Sequence, residues 1–220
     1  RSSVEHGQQQ MDRPLVLRAR YREPLAWSEM LAFLSARVIP GIESVESGCY
    51  RRRVRVQQET GIVEIQHDAD AGCLRIALPV ALSAGVTGIL ASVRRLFDLD
   101  ADPSGIASVL VRDPALRRSI QRTPGLRVPG AWDGFEIAVR AVVGQQVSVK
   151  AAITLCTRLV ERFGERAADA ALPFLFPTPA ALASAPLERI GLPGARAEAL
   201  RALANAVDRE VQDLAGRLEA

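Results

Sequence analysis

The chain has 220 residues, 48% hydrophobic and 24% charged, enough to bury a substantial core in one large domain or two small ones. Its formal net charge of +3 and pI near 9.1 admit a nucleic-acid partner without establishing one; Lys150 is the only lysine, so the basic side chains are arginines, a skew that a GC-rich coding bias also explains. Cys49, Cys73 and Cys156 form no C-x-x-C pair, His6 and His67 have no metal-ligand spacing, and no apolar run reaches membrane-spanning length, which points to an intracellular protein without structural disulfides, zinc or a membrane span.

Residues 1–13 are polar and aperiodic and read as a linker or tail. "LVLRAR" from Leu15 to Arg20 alternates in part and predicts a strand. "AWSEMLAFLSARVI" sets Trp27, Met30, Leu31, Leu34 and Val38 on one helical face. Further strands are expected at 52–57, 61–67 and 73–79, joined by "QETG" and "DADAG", two hairpin connections ending in glycine. Val54/Val56 and Leu74/Ile76/Leu78 keep a period of two, whereas Ile62 and Ile65 break it and point to a bulge or an edge. An amphipathic helix at about 83–96 completes a β-α-β-β-β-α order, an antiparallel sheet covered on one face by two helices.

After "DLDADPSG" the strand pattern stops and helical spacing takes over at 104–111, 114–121, 133–143, 148–163, 179–184 and 194–207. The expected fold class is therefore α+β over 14–102 and all-α over 103–220. Gly164 suits a C′ position, Thr178 an N-cap and Pro179 the first helical turn. Cys156 falls in an apolar stripe, and Trp27 and Trp132 read as packing residues. The chain begins with arginine and ends at "LAGRLEA" in helical pattern without a cap, so a fragment of a longer polypeptide is expected.

The stretch "FEIAVRAVVGQQVSVKAAITLCTRLVERFG" from Phe135 to Gly164 contains two helical runs broken at Gly144-Gln145-Gln146. Phe135, Val139, Val142 and Val143 form one apolar face, and Val149, Ile153, Cys156, Val160 and Phe163 another. Gly144 permits backbone that a Cβ resists, and Ser148 can cap the second helix. Gln145 and Gln146 then sit on a short junction between rigid helices. One reading is a solvated loop. The other is a probe: a long neutral amide can enter a groove or fill a vacancy in a base stack without burying a charge.

"GLRVPGAWDGFEIAVRAVVGQQVSVKAA" resembles the start of the glycosylase core in bacterial inducible 3-methyladenine DNA glycosylases of the AlkA type, within the helix-hairpin-helix HhH-GPD superfamily. The similarity continues through "TLCTRLVERFGE", "FLFPTPAALASA" and "IGLPGARAEALRALANA", and backward through "AWSEMLAFLSARVIPGIESVESGCYRRRV" and "RLFDLDADP", covering roughly 14–220. It implies that the front domain resembles half of a TATA-binding-protein saddle and that the helical part belongs to a DNA-repair enzyme. Such an enzyme flips alkylated purines and hydrolyses their N-glycosidic bonds. The implied partner is double-stranded DNA containing alkylated bases. The resemblance implies no cofactor, no metal at the site and no membrane, and a monomer in the bacterial cytoplasm. Gln145 and Gln146 match the pair that enters the minor groove where the damaged nucleotide leaves; the best-known family member has leucine at the position of Gln146. Phe33 matches an aromatic lining the base pocket, a face suited to an electron-poor alkylated base. On the residues alone, Phe33 reads as ordinary core beside Met30 and Leu34.

The family's catalytic aspartate follows a hairpin whose turn resembles L-P-G-[VI]-G and whose backbone N–H groups bind a DNA phosphate. In "GLPGAR" at 191–196, Arg196 stands where the second glycine belongs, and the segment aligns with an earlier family helix. The hairpin and the aspartate are expected after Ala220, so no catalytic residue is assigned here and 1–220 alone is expected to be inactive. Asp133 suits an N-cap; Glu136 and Glu161 are expected on solvated faces; Asp98, Asp100 and Asp102 fall in an acidic turn. An upstream domain of the kind found in Ada–AlkA fusions is compatible with the first residue. The alternative to an enzyme is a non-catalytic DNA- or protein-binding module that keeps the fold. A transcription regulator ranks last, because no helix is rich in base-reading polar side chains.

Overall fold

Alternating apolar residues in the front part build a five-stranded antiparallel sheet in a computed structural model that describes residues 13–167 and 171–218. The chain divides into two compact units, Arg1–Val38 with Glu43–Trp132 and Ile39–Ile42 with Asp133–Ala220. The sequence boundary at 102/103 followed the change from strands to helices, whereas compactness groups the next two helices with the sheet.

In the first unit the strands are β1 (Leu15–Arg20), β2 (Glu43–Glu46), β3 (Cys49–Val56), β4 (Glu59–Asp68) and β5 (Cys73–Leu78), in the order β1-β5-β4-β3-β2. One core-facing row runs through every strand: Leu17 opposite Ile76, Ile76 opposite Ile65, Ile65 opposite Tyr50 and Tyr50 opposite Val45. Helices α1 (Trp27–Ser35) and α2 (Val86–Leu96) cover this face with Met30, Leu31, Ile89, Val93 and Leu96. Trp27 packs on Phe97 with ring centroids 5.1 Å apart, and half-buried Trp132 lies against the same core, as expected of packing residues. A 3-10 turn, Val80–Gly85, precedes α2, which shortens the helix expected from about 83.

Three strand expectations are corrected. β2 was not anticipated; it pairs with β3 through Ser47-Gly48, whose φ values of 49° and 74° give the left-handed pair that a two-residue hairpin favours. The β3–β4 turn is Gln57-Gln58 rather than "QETG", because Val56 pairs directly with Glu59. No bulge interrupts β4: Val63 and Ile65 face the core, and Ile62 lies on the other face.

Helices α3 (Pro103–Leu110) and α4 (Pro114–Arg122) complete this unit, capped by Asp102 and Asp113, whose carboxylates accept from Gly105 N at 3.1 Å and Ala115 N at 2.8 Å. Asp98 has φ 50°, and Asp100 pairs with Arg94, so the expected acidic turn is an ordered corner. Arg127 reaches into it. Its guanidinium donates to Asp98 O at 2.5 Å, Ala101 O at 3.4 Å, Pro24 O at 3.5 Å and Arg22 O.

The second unit holds α5 (Gly134–Gly144), α6 (Val149–Phe163), α7 (Pro179–Ala183), a 3-10 turn (Leu187–Ile190) and α8 (Gly194–Leu218). Its core joins Val139 and Val143 of α5, Cys156, Leu159 and Val160 of α6, and Ala197, Leu200 and Ala204 of α8. Ile39 and Ile42, from the segment after α1, are buried in it as well. Pro193-Gly194 opens α8, which runs unbroken past the expected end at 207. Thr178 Oγ1 accepts from Ala181 N at 3.2 Å with Pro179 next, the expected cap.

Gly164 differs from expectation. Its φ of −72° and ψ of 150° are ordinary extended backbone, so it does not close α6 as a left-handed C′ residue. A Cβ there would stand 2.4 Å from Val160 O and 2.5 Å from Leu175 O. Close backbone approach, and not handedness, requires the glycine.

Candidate functional site

Both helices of the junction are capped by side chains. Asp133 Oδ1 accepts from Glu136 N at 2.9 Å at the start of α5, and Ser148 Oγ accepts from Ala151 N at 3.2 Å at the start of α6. Val139 and Val143 on one helix and Leu159 and Val160 on the other are fully buried, which fixes both helices against the core. Only Gln145, Gln146, Val147 and Ser148 separate them. Gln145 and Gln146 are both exposed, as expected of a junction turned away from the core.

The backbone reversal does not fall on Gly144. That glycine is the last helical residue, has no positive φ, and a Cβ on it would meet only Ala152 Cβ at 3.9 Å, an ordinary contact. Gln146 makes the reversal with φ 54°. An L-residue with a Cβ in this region is strained by about 1–2 kcal/mol, and glycine would relieve that strain. Strained residues of this kind concentrate at functional sites. A long amide is thus held out from a rigid, doubly capped corner at a position where its backbone favours glycine. The flanking exposed charge is Lys150, and no acid lies between Gly144 and Ala152.

The nearby acids are accounted for. Glu136 was expected on a solvated face, yet it is 4% exposed and its Oε1 accepts from Arg140 Nε at 2.9 Å and Nη2 at 2.6 Å. It shares the core side of α5 with Val139 and Val143, and its charge is met one turn later by Arg140. Glu161 is exposed, as expected. Cys156 is a buried core residue, also as expected.

Phe33 lies on α1 in the other unit, off the core-facing stripe, and is 40% exposed. The Arg37 guanidinium stands 3.7 Å from its ring centroid and donates from Nη1 to Phe33 O at 3.2 Å. Phe33 is therefore not the ordinary core residue that its neighbours Met30 and Leu34 suggested, but a partly exposed ring with an arginine stacked on it. Sequence reasoning missed the arginine cover, although Phe33 and Arg37 stand one helical turn apart.

Residues 16–133 match the AlkA N-terminal domain, and residues 139–218 match HhH-GPD superfamily base excision DNA repair proteins. The chain is 40% identical over 189 residues to DNA-3-methyladenine glycosylase 2 of Escherichia coli K12, an alignment covering 84% of this chain and 65% of that protein. It is 39% identical over 189 residues to the "Probable bifunctional transcriptional activator/DNA repair enzyme AlkA" of Mycobacterium tuberculosis, covering 85% of this chain and 38% of that protein. The structure of a 3-methyladenine DNA glycosylase from Archaeoglobus fulgidus superimposes with a TM-score of 0.73 at 22% identity, over 86% of this chain and 66% of the other, a likeness of fold. The chain belongs to the AlkA type within the helix-hairpin-helix base-excision superfamily. It spans under two thirds of the length of the two sequence relatives.

Proposed function

We propose that this chain is the lesion-recognising part of an AlkA-type DNA glycosylase that excises alkylated purines of the 3-methyladenine kind from duplex DNA. The exposed, left-handed Gln146 carries this reading. When a nucleotide leaves the stack, an adjacent group that fills the space compensates part of the lost stacking. Gln146 can do so and hydrogen-bond base edges without desolvating a charge, with Gln145 beside it in the minor groove. Phe33 is assigned to the base pocket on the family match alone, because the Arg37 guanidinium occupies its ring face. The acids near the junction are occupied as a cap (Asp133) and in a buried ion pair (Glu136), so neither is assigned the hydrolysis.

The test is Gln146→Gly beside Gln146→Ala in chain 1–220, measured on duplexes with and without an abasic-site analogue. The glycine variant should be as stable as the parent or more so, because the left-handed backbone is relieved. Both variants should bind the abasic duplex about tenfold more weakly, a loss of about 1.4 kcal/mol. Binding to undamaged duplex should stay within about twofold, because a gap-filling group acts only where a base has left the stack. Equal weakening on both duplexes would reduce Gln146 to a general contact and defeat the assignment.

A further inference from the structure

Side chains alternate along β1 and β5, so the residues between the core-facing ones stand on the opposite face of the sheet. On that face Arg18 lies directly opposite Arg75, with Arg20 two residues along the same strand. All three are exposed. Like charges directly opposite one another destabilise a sheet, and a sequence selected only for folding has no reason to place them there. Compensation nearby is slight. Arg75 Nη1 donates to the neutral Gln66 Oε1 at 3.4 Å, Glu64 pairs with Arg51 at 3.0 Å, and Asp68 Oδ1 accepts from Ala71 N at 3.1 Å. Among the described residues, no carboxylate forms an ion pair with Arg18, Arg20 or Arg75.

We infer that the face of β1 and β5 carrying Arg18, Arg20 and Arg75 is a second DNA contact, which holds the phosphate backbone of undamaged duplex and is separate from the glutamine junction. Neighbouring strands lie about 4.8 Å apart and alternate residues about 6.6 Å apart, so the three guanidinium groups form a flat cationic patch a few ångströms on a side. A duplex carries one charge per about 1.7 Å of its axis, dense enough to engage such a patch with two or three phosphates. Arginine suits this use because its planar fork takes phosphate oxygens in pairs. An acidic peptide is the competing occupant, and the experiment below separates it from duplex. The contact goes beyond the proposed glycosylase reading: it concerns intact duplex and the sheet unit.

The experiment compares chain 1–220 with Arg18→Gln/Arg20→Gln/Arg75→Gln and with the corresponding triple lysine variant. Fluorescence anisotropy of a labelled undamaged duplex is recorded between 50 and 200 mM salt, on the order of the range where counterion release dominates. Each lost phosphate contact lowers the slope of log K against log salt by about 0.9, so the glutamine triple should lower it by about 2–3. The lysine triple should keep most of the slope. Thermal stability of the glutamine triple should equal or exceed that of the parent, since a like-charge pair is removed. An unchanged slope in the glutamine triple overturns the inference, as does loss of acidic-peptide binding with duplex binding intact. Preference for the abasic duplex should survive in the triple variant. If the preference is present and the slope unmoved, this contact fails while the glycosylase reading stands; if the slope falls but no preference ever existed, the reverse holds.

Discussion

Arg127→Leu is expected to destabilise the sheet unit by about 3–5 kcal/mol, because charge-assisted hydrogen bonds contribute about 1.5–3 kcal/mol each and the stranded carbonyls add their own desolvation. Arg127 is 6% exposed, and its guanidinium gathers carbonyls from two separate segments, Arg22 and Pro24 before α1 and Asp98 and Ala101 after α2. Burial pulls its pKa down, opposed chiefly by Asp98. Leucine would fill the space but take the guanidinium donor from Arg22 O and leave Asp98 O with only Ala101 N, at 3.3 Å. Arg127→Lys should recover less than half of the loss, since one ammonium cannot reproduce a planar fork spread over four acceptors. The measurement is urea unfolding followed by tryptophan fluorescence, which reports this unit because Trp27 and Trp132 are the only tryptophans and both belong to it. A loss below about 1 kcal/mol would show that water satisfies the carbonyls as well as the arginine does.

Arg127 also shows where reading the sequence stops. In "GLRVPG" it stands between Leu126 and Val128, and an arginine between two aliphatic residues suggests outward charge and inward apolar side chains. The structure is the reverse: Val128 and Leu126 are exposed and the arginine is buried. Nothing local announces this, because its acceptors are backbone carbonyls about 26–105 residues away, and carbonyls leave no trace in sequence. The helices around the junction were legible for the opposite reason. Their apolar spacing, Asp133 and Ser148 are local signals with a local physical cause, although Val149 at the start of α6 is 50% exposed and Leu159, outside the expected stripe, is buried. Strand β2 sat between the two cases. "ESVE" is short and mostly polar, but Ser47-Gly48 is a turn dipeptide flanked by residues that can pair, and it could have betrayed the hairpin.

The junction was half legible. The break, the capping serine and the exposure of both glutamines followed from pattern, whereas the residue bearing the strain did not. A lone glycine invites the assumption that it takes the unusual backbone, yet Gly144 ends the helix normally and Gln146 takes φ 54°. A glutamine in that position could not have been distinguished by composition from one in a relaxed loop. Glu136 was misplaced on similar grounds. Its spacing to Val139 and Val143 marks the core side of α5, but a carboxylate is assigned to solvent until Arg140, one turn on, is seen to neutralise it.

A buried cross-strand pair carries an expected effect about as large. Glu43 and Arg52 face one another across β2 and β3 on the core side of the sheet, with Glu43 only 6% exposed. Glu43 Oε2 accepts from Tyr50 Oη at 2.6 Å and from Arg52 Nη1 at 3.2 Å. Burial, and secondarily the Glu43 charge, push the Tyr50 pKa well above that of a free phenol, so the hydroxyl remains a donor. Glu43→Met leaves a guanidinium buried without its cross-strand carboxylate and should destabilise the unit by about 3–5 kcal/mol. Glu43→Met/Arg52→Met removes both charges and should be less destabilised than the single variant, because a matched apolar pair avoids the desolvation that one stranded charge cannot. Tyr50→Phe, which removes one hydrogen bond from the carboxylate, should lose about 1.5–3 kcal/mol. The comparison is a double-mutant cycle in urea on the tryptophan signal. Strict additivity of the two single changes would mean that Glu43 and Arg52 are each satisfied by other groups, and that the cross-strand pair contributes nothing as a pair.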